Sequence, residues 1–500
     1  MTSIAPVDIS LAKSFAARQE WYTNRASALF PLRLRIGGDL IICYLNYWSI
    51  KNKIENIQRI IRIYNEIGEL KGRQSQRVVG QGAAISVAKV FDLKSPFDGM
   101  VEIEFIALDN LRFSFPAVQA FYTDGQAIST VHSAGRNKNA DESSHQNTVS
   151  VETNWICKFS ENVTPFFHVF TPGAQDHPVD VEVSVYSPKN KLLASQRLGA
   201  ILVSAFSSKL VTLDSLFPEL CQDAVPPLGS YCQIKVPQTG IFPRLVVGNL
   251  HRSSDFLEVT HSFALQNNKD FVTNPEPLTL WSFIPAVKPP DLNLNLYSFP
   301  TNSISQVTAQ IRHQKLTQPA LRETGHTLTW CTGGVDAEVM RYTVPENVSL
   351  VSIDLSGHEV PSRLNVSYQF SVCKSKSPYS TDISTGAKSC VYPPKHSHWG
   401  TCVVGGSFKT VLMGRNMSHK VSKTQKAKGT LRIWFANDFI EERALIIDAE
   451  ASAFWTINLQ TPMTDNPQFI HWLANFDQPS VEVFWVSYAP DGRICGDHSF

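Results

Sequence analysis

The segment Val179–Tyr186 reads Val-Asp-Val-Glu-Val-Ser-Val-Tyr, and this strict alternation decides the class of fold. Valine occupies every second position, and the residues between the valines are polar. Successive side chains of a β-strand point to opposite faces, so a period of two places all four valines on one face. The segment therefore predicts a strand of an antiparallel sheet with one apolar face and one face toward water.

Two further segments resemble this strand, one on each side of it in the chain. Ile57–Tyr64 precedes it and Asp291–Tyr297 follows it, and both are apolar-rich strands that end in tyrosine. The closing tyrosines Tyr64, Tyr186 and Tyr297 are 122 and 111 residues apart, which is the length of one small domain. The spacing predicts a duplicated β-domain in which these tyrosines belong to a repeated framework.

A short histidine motif follows each of these strands. It reads Val-His-Ser at His132, Thr-His-Ser-Phe at His261 and Asp-His-Ser-Phe at His498. The distance from tyrosine to histidine is 68 residues in the first unit, 75 in the second and 201 in the third. The long third interval predicts either an insertion in that unit or a hidden fourth unit.

The three histidines allow three interpretations. Histidine is the usual general acid or base near neutral pH, but an active site normally assembles different residues once. A histidine–serine pair at a strand end can satisfy backbone groups at a sheet edge, and a repeated fold keeps such a pair in every copy. We therefore expect a framework role for His132, His261 and His498, with contact to a repeated ligand as the alternative.

The strand patterns and turn signals together predict an all-β protein made of tandem antiparallel β-sandwich-like modules. We expect three modules, at 22–137, 150–266 and 275–500, of which the third is enlarged or contains two subdomains. A few short peripheral helices are expected as well, among them residues 8–20 and Pro467–Phe476. Long helices do not alternate with strands, which argues against a doubly wound nucleotide-binding fold.

Composition and charge exclude several classes of protein. Hydrophobic residues make up 43% of the 500 residues, which is enough for several globular cores. There are 45 Lys and Arg against 44 Asp and Glu, so no overall positive charge would attract nucleic acid. The sequence shows no transmembrane segment and no signal peptide. We expect a soluble cytoplasmic protein, and export by a non-classical route stays open.

The nine cysteines are odd in number and scattered, and several lie in apolar, strand-like sequence. This distribution is typical of buried free thiols in a reducing compartment rather than of a disulfide framework. We expect at most one disulfide, formed among Cys373, Cys390 and Cys402.

The densest group of metal-binding residue types lies between residues 390 and 402. Cys390, His396, His398 and Cys402 could reach one ion, because thiolates and imidazoles are the ligands that zinc prefers. Their spacing matches no familiar structural-zinc pattern, so they form a metal site only in an alternative interpretation. The stretch 375–400 is instead rich in turn residues and predicts an irregular, exposed loop inserted in the third module.

Aromatic residues in this loop offer a second kind of site. Trp399 lies between His398 and a glycine, where its ring could be exposed as a stacking platform for a sugar. Together with His396, these residues form a candidate ligand-binding group. The usual catalytic signatures are missing from the sequence: it has no Walker lysine loop, no Gly-x-Ser-x-Gly elbow and no His-Glu-x-x-His pair.

These observations favour a non-enzymatic binding or assembly protein whose modules form an elongated β platform. The expected partners are a glycan, a polymer or copies of the chain itself, without nucleic acid, and no cofactor is expected. The alternative is a carbohydrate-active or metal-dependent enzyme whose site lies in the third module.

Overall fold

The computed structural model is almost entirely β-structure. It describes residues 23–500 except 133, 139–148, 172, 174–175, 177, 223–224, 238–239, 243, 266–270, 281–285, 303–305, 315–322, 347–349, 362, 389–395, 417–424, 436–437, 450 and 458–465. Within this part the chain forms 36 strands and four short helices. The all-β prediction is therefore confirmed, while the expected helix at 8–20 lies outside the described residues.

The first eight strands form two sheets, which we call set 1. Their bounds are β1 Arg25–Leu34, β2 Asp39–Leu45, β3 Ile57–Asn65, β4 Leu70–Arg77, β5 Gly82–Ser86, β6 Phe97–Ala107, β7 Val118–Thr123 and β8 Ile128–His132. One sheet has the order β1-β6-β3-β4 and the other has the order β5-β2-β7-β8.

Set 2 is built in the same way and has three additional short strands. The bounds are β9 Arg136–Asn137, β10 Val149–Thr153, β11 Val163–Phe170, β12 Val179–Tyr186, β13 Leu192–Leu202, β14 Ser208–Thr212, β15 Tyr231–Pro237, β16 Ile241–Phe242, β17 Val246–His251, β18 Phe256–His261 and β19 Phe263–Ala264. Its sheets have the orders β13-β12-β15-β10-β19 and β14-β11-β17-β18, and β16 pairs with β9.

Set 3 follows in the chain and contains one additional short strand. The bounds are β20 Phe271–Leu280, β21 Ala286–Val287, β22 Leu292–Ser298, β23 Gln306–Gln314, β24 Glu323–Cys331, β25 Met340–Thr343, β26 Leu350–Pro361, β27 Arg363–Val372 and β28 Thr381–Lys388. Its sheets have the orders β20-β26-β23-β24 and β25-β22-β27-β28, and β21 pairs with β26.

Set 4 contains the last eight strands. The bounds are β29 Ser397–Val404, β30 Lys409–Asn416, β31 Ala427–Phe435, β32 Asp438–Ile447, β33 Ser452–Ile457, β34 Gln468–Phe476, β35 Val481–Tyr488 and β36 Ile494–His498. Its sheets have the orders β29-β34-β31-β32 and β33-β30-β35-β36.

All four sets share one pairing order when their eight main strands are counted from one to eight. The first sheet always runs first-sixth-third-fourth and the second always runs fifth-second-seventh-eighth. The third predicted module, 275–500, was expected to be enlarged or to contain two subdomains, and it overlaps two such sets, sets 3 and 4. The exact module bounds stay a prediction.

The tyrosine markers agree with this count in two of three cases. Tyr64 lies on β3 and Tyr186 on β12, and these are the third strands of sets 1 and 2. Tyr297 lies on β22, the second strand of set 3, so it does not correspond to the other two. In β12 buried and partly exposed residues alternate without exception, as the valine pattern predicts.

Two local predictions are wrong. Pro467–Phe476 was expected to be a helix, but β34 fills this stretch between β29 and β31. The strand is largely buried on both faces, and sequence alternation cannot reveal a strand that has no wet face. The stretch 375–400 was expected to be an irregular loop, but it contains β28, whose residues 381–384 are buried against neighbouring sets.

The four helices are short and connect strands. Their bounds are α1 Tyr47–Asn52, α2 Val87–Val90, α3 Leu213–Leu216 and α4 Glu219–Gln222. Helix α1 is capped by Asn46, whose side-chain oxygen accepts a hydrogen bond from the Ser49 amide. This helix places Tyr47 and Trp48 in the core of set 1.

The four sets close into a ring around their eighth strands, β8, β18, β28 and β36. Each of these strands contacts the next, and β36 returns to β8. Hydrogen bonds and ring contacts join the neighbours at Ser129–Leu257, Thr260–Ser384, Thr381–Gly496 and His132–His498. The expected elongated platform is therefore wrong, because the first and last sets pack against each other.

Candidate functional site

The ring brings the three recurring histidines to one place, which we call the histidine cluster. His132, His261 and His498 lie on β8, β18 and β36, the eighth strands of sets 1, 2 and 4. The ring centroid of His132 lies 4.3 Å from that of His261 and 4.5 Å from that of His498, while the other two are 6.1 Å apart. His132 and His261 are buried, and His498 is partly buried.

Each histidine of the cluster is held through its Nδ1 atom. The Nδ1–H groups of His261 and His498 donate to the main-chain carbonyl of the residue that follows, at 2.9 Å and 3.0 Å. The Nδ1 of His132 lies 3.0 Å from the carboxylate of Asp497. Because a carbonyl or a carboxylate only accepts, each of these Nδ1 atoms carries a hydrogen, and a ring in its neutral form has its lone pair on Nε2.

Electrostatics keep the His261 ring of this cluster neutral and give the cluster one carboxylate. Burial lowers the pKa of His261 well below its usual range, and the neighbouring His132 and Arg244 act in the same direction. Burial raises the pKa of Asp497, but His132 outweighs this effect and lowers that pKa below its usual value. Asp497 is therefore an acceptor for His132 at neutral pH.

Aromatic side chains enclose the cluster. The Phe500 ring lies 5.4 Å from that of His132, and the Phe263 ring lies 4.9 Å from that of His261. Arg244 stacks on the Phe263 side chain, with its guanidinium carbon 4.6 Å from the centroid of that aromatic ring. The three imidazoles therefore lie among aromatic rings, with Asp497 and Arg244 as charged neighbours.

A second buried polar group joins sets 2 and 3 beside the cluster. Glu258 on β18 receives hydrogen bonds from Ser380 at 3.0 Å and from Lys158, and its other oxygen lies 3.1 Å from His251. Burial raises the pKa of Glu258, but Lys158 and His251 outweigh it and hold that pKa at about 2. Burial raises the pKa of Asp382 on β28 to about 7, Glu258 adds to the shift, and Lys158 opposes it.

The structure distributes the residues of the predicted ligand or metal group along an edge rather than around a point. His398 and Cys402 lie on the same strand, β29, four residues apart, which corresponds to roughly 13 Å in an extended chain. His398 is buried with its Nδ1 2.8 Å from the Ser499 hydroxyl, and His396 is exposed with its Nδ1 3.1 Å from the Phe476 carbonyl. Cys390 lies outside the described residues.

Trp399 is part of an interface and not a free platform. Its ring stacks on Tyr47 at 5.3 Å, with Lys51 5.7 Å from the ring centroid. Both partners come from α1 in set 1, so Trp399 joins sets 1 and 4. The sequence could not show this, because the two segments are about 350 residues apart.

The outer edges of the sets differ from the crowded centre. The fourth strands β4, β13 and β32 each end a sheet, and most of their residues are exposed or partly exposed. Leu70 on β4 is 52% exposed, and Phe439 and Ile446 on β32 are 57% and 54% exposed. An unpaired edge strand can accept a further strand through its main-chain groups.

The three histidines were candidates from the sequence, but their proximity in space was not predicted. The available signal was their common position in the last strand of a repeated unit. Equivalent residues of repeated sets come together when the sets form a closed ring, and the sequence does not show whether such a ring forms.

Comparisons with known proteins give no family for this chain. No protein-family model and no curated protein matches it. β-Glucuronidase 2 of Bacteroides uniformis aligns with 51% of this chain at 11% identity and a TM-score of 0.12, and the aligned part is 28% of that enzyme's length. A tetra-tandem repeat from the extending region of a large adhesion protein aligns with 89% of this chain and 91% of its own at 11% identity and a TM-score of 0.10. Scores this low support no inference about fold or function.

The described helices do not include one with the length and apolar character needed to span a membrane.

Proposed function

We propose that this chain is a non-enzymatic assembly protein, a closed block of four β-sandwiches that binds further copies of itself through its outer edge strands. The observation that supports this proposal most strongly is the pair of exposed edges at β4 and β32. Each is the last strand of its sheet among the described strands. Leu70 on β4 and Phe439 and Ile446 on β32 are large apolar side chains exposed to solvent. Exposed edges of this kind are normally blunted or paired in stable proteins.

The two edges have opposite charge. The β4 edge reads LKGRQSQR and carries three basic residues and no acidic one. The β32 edge reads DFIEERALII and carries three acidic residues and one basic residue. Antiparallel pairing of β4 from one copy with β32 from another would extend two sheets into one and bring opposite charges together.

Such a contact uses two different surfaces of the same chain, so one contact between two copies leaves one β4 edge and one β32 edge open for further copies. Head-to-tail contacts build rings or open filaments, depending on the rotation between copies. Assembly into larger particles is therefore the expected behaviour, and the closed ring of sets supplies a rigid building block.

The described cysteines favour a reducing compartment such as the cytoplasm for this assembly. Eight of the nine cysteines are described, and all eight are free. Five are fully enclosed, and burial raises their pKa values, which keeps them in the unreactive thiol form; these are Cys43, Cys157, Cys232, Cys402 and Cys495.

Sedimentation velocity over a range of protein concentration tests the proposal. We expect particles that grow with concentration, and dissociation at high salt because the paired edges are charged. The double substitution Lys71→Glu with Arg73→Glu on β4 should weaken association at least tenfold. Adding Asp438→Lys and Glu442→Lys on β32 to that variant should restore association, because the charges are again complementary.

Gln196→Glu provides the matched control, since it adds an acidic residue to the exposed edge β13 without touching either pairing edge. This variant should assemble like the unmodified chain. A chain that stays monomeric at all concentrations, or a β4 variant that assembles normally, would contradict the proposal. If the chain stays monomeric and binds a defined sugar on a glycan array, glycan recognition would replace assembly as the proposed function.

A further inference from the structure

The histidine cluster has the features of a metal site, and this goes beyond the proposed assembly function. His132, His261 and His498 each offer a ring nitrogen, and the three nitrogens lie within 4.8 Å of one another. With Zn–N bonds of 2.0–2.1 Å and tetrahedral geometry, three imidazoles on one ion have ring centres roughly 5 Å apart. The observed centroid distances of 4.3, 4.5 and 6.1 Å lie on either side of this value.

The hydrogen bonds of the cluster fix the tautomer that a metal requires. All three Nδ1 atoms are directed at acceptors, two at main-chain carbonyls and that of His132 at Asp497. The lone pairs are therefore on the Nε2 atoms. Metal-binding histidines almost always use their second nitrogen in this way, and a carboxylate behind one ring makes that ligand more basic.

One polar atom of the cluster has no partner. The Nε2 of His261 is buried and makes no hydrogen bond to any described residue. A buried acceptor without a partner costs free energy, and such an atom in a native structure calls for a missing neighbour. A cation bound at the shared space between the rings would satisfy it.

We propose that His132, His261 and His498 bind one divalent metal ion of the borderline class, with Zn²⁺ as the fitting representative. Three imidazoles without a thiolate or a direct carboxylate favour Zn²⁺, Co²⁺, Ni²⁺ or Cu²⁺ over the oxygen-preferring Mg²⁺ and Ca²⁺.

The location gives the ion a role. Its ligands come from sets 1, 2 and 4, so one ion links three of the four sets at the centre of the ring. Strand β28 of set 3 contains no histidine and contributes no ligand of this kind. The ion thus acts as a clamp that holds the first and last sets together.

Metal titration of protein stripped with a chelator and freed of any affinity tag tests the proposal. Isothermal titration with Zn²⁺ should give one ion per chain, and Co²⁺ should produce the visible absorption of a tetrahedral site. His261→Gln should weaken Zn²⁺ binding at least 100-fold, and Asp497→Asn, which leaves all three ligands, should weaken it 10- to 100-fold. His168→Gln is the control, because His168 is also buried in set 2 but lies on β11 outside the cluster.

X-ray absorption of the zinc-loaded unmodified chain keeps the test independent of how well the variants fold. Three nitrogen neighbours near 2.0–2.1 Å would support the site. Absence of stoichiometric Zn²⁺ binding by the unmodified chain would overturn the proposal, and so would Zn²⁺ affinity that is equal in His261→Gln and His168→Gln. None of these results depends on self-association, so the metal site and the assembly function fail separately.

Discussion

The buried pair Glu258 and Asp382 gives the sharpest test of the contact between sets 2 and 3. Glu258 is surrounded by donors and stays ionised, whereas the Oδ1 atom of Asp382 is buried without a hydrogen bond from the described residues. Burial raises the pKa of Asp382 to about 7, and Glu258 adds to this. In an unfolded chain the same carboxyl has a pKa of about 3.9.

The sign of the pH effect follows from this difference. Between pH 4 and pH 7 the unfolded chain loses the Asp382 proton while the folded chain keeps it, so stability falls as the pH rises. A shift of about three pKa units corresponds to roughly 4 kcal/mol, all of it expressed above pH 7. Asp382→Asn removes this titrating carboxyl group. The unfolding free energy of the variant, relative to that of the unmodified chain, should therefore rise by up to about 4 kcal/mol between pH 4 and pH 8.

Urea unfolding of both chains at several pH values between 4 and 8 measures this gain. Asp109→Asn serves as the control, because Asp109 is exposed and should leave the difference between pH values unchanged. If the stability difference between Asp382→Asn and the unmodified chain stays constant from pH 4 to pH 8, Asp382 does not keep its proton in the folded chain. The same holds if Asp382→Asn loses stability relative to the unmodified chain as the pH rises, since Asp382 would then be an ionised partner of Lys158.

Three further predictions concern the ring and its core. Gly82→Val should destabilise the chain by about 1–3 kcal/mol, because a Cβ at this position of β5 would lie 2.6 Å from the His471 ring of set 4. Thermal unfolding measures this loss, with Ala84→Val at an exposed position of the same strand as the control. Equal melting temperatures of the two variants would contradict the prediction. Alkylation of the unfolded chain without reductant should label at least eight thiols. Three or four disulfides found by mass spectrometry would contradict the assignment to a reducing compartment. Asn46→Ala should lower the unfolding free energy by about 1 kcal/mol, because it removes the cap of α1. Thermal unfolding followed by circular dichroism measures this loss against Asn56→Ala, and equal melting temperatures of the two variants would contradict it.

Much of the secondary structure could be predicted from the sequence, because alternation is a local property. The valines of Val179–Tyr186 form the buried face of β12 as expected, since burial of one face and hydration of the other is written into neighbouring residues. Prediction failed at β34, whose residues are buried by the second sheet of set 4 on one face and by set 1 on the other. Its asparagine–proline start resembles a helix cap, and tertiary burial overrides that local signal.

The repeat was also visible in the sequence, although incompletely. Tyr64 and Tyr186 mark equivalent strands, and His132, His261 and His498 all lie on eighth strands. Tyr297 was misplaced by one strand because the histidine of set 3 is missing and no second marker could correct the alignment.

Local patterns in the chain were enough to predict an all-β protein of repeated units with a histidine at the end of three of them. Three features depend on the packing of whole sets: the closure of the ring, the stacking of Trp399 on Tyr47, and the proximity of the three histidines. The physical reason is the range of the interactions. A strand pattern reflects neighbours a few residues away, whereas the meeting of His132 with His498 depends on how whole sandwiches pack, and contacts among residues hundreds of positions apart leave no periodicity in the chain.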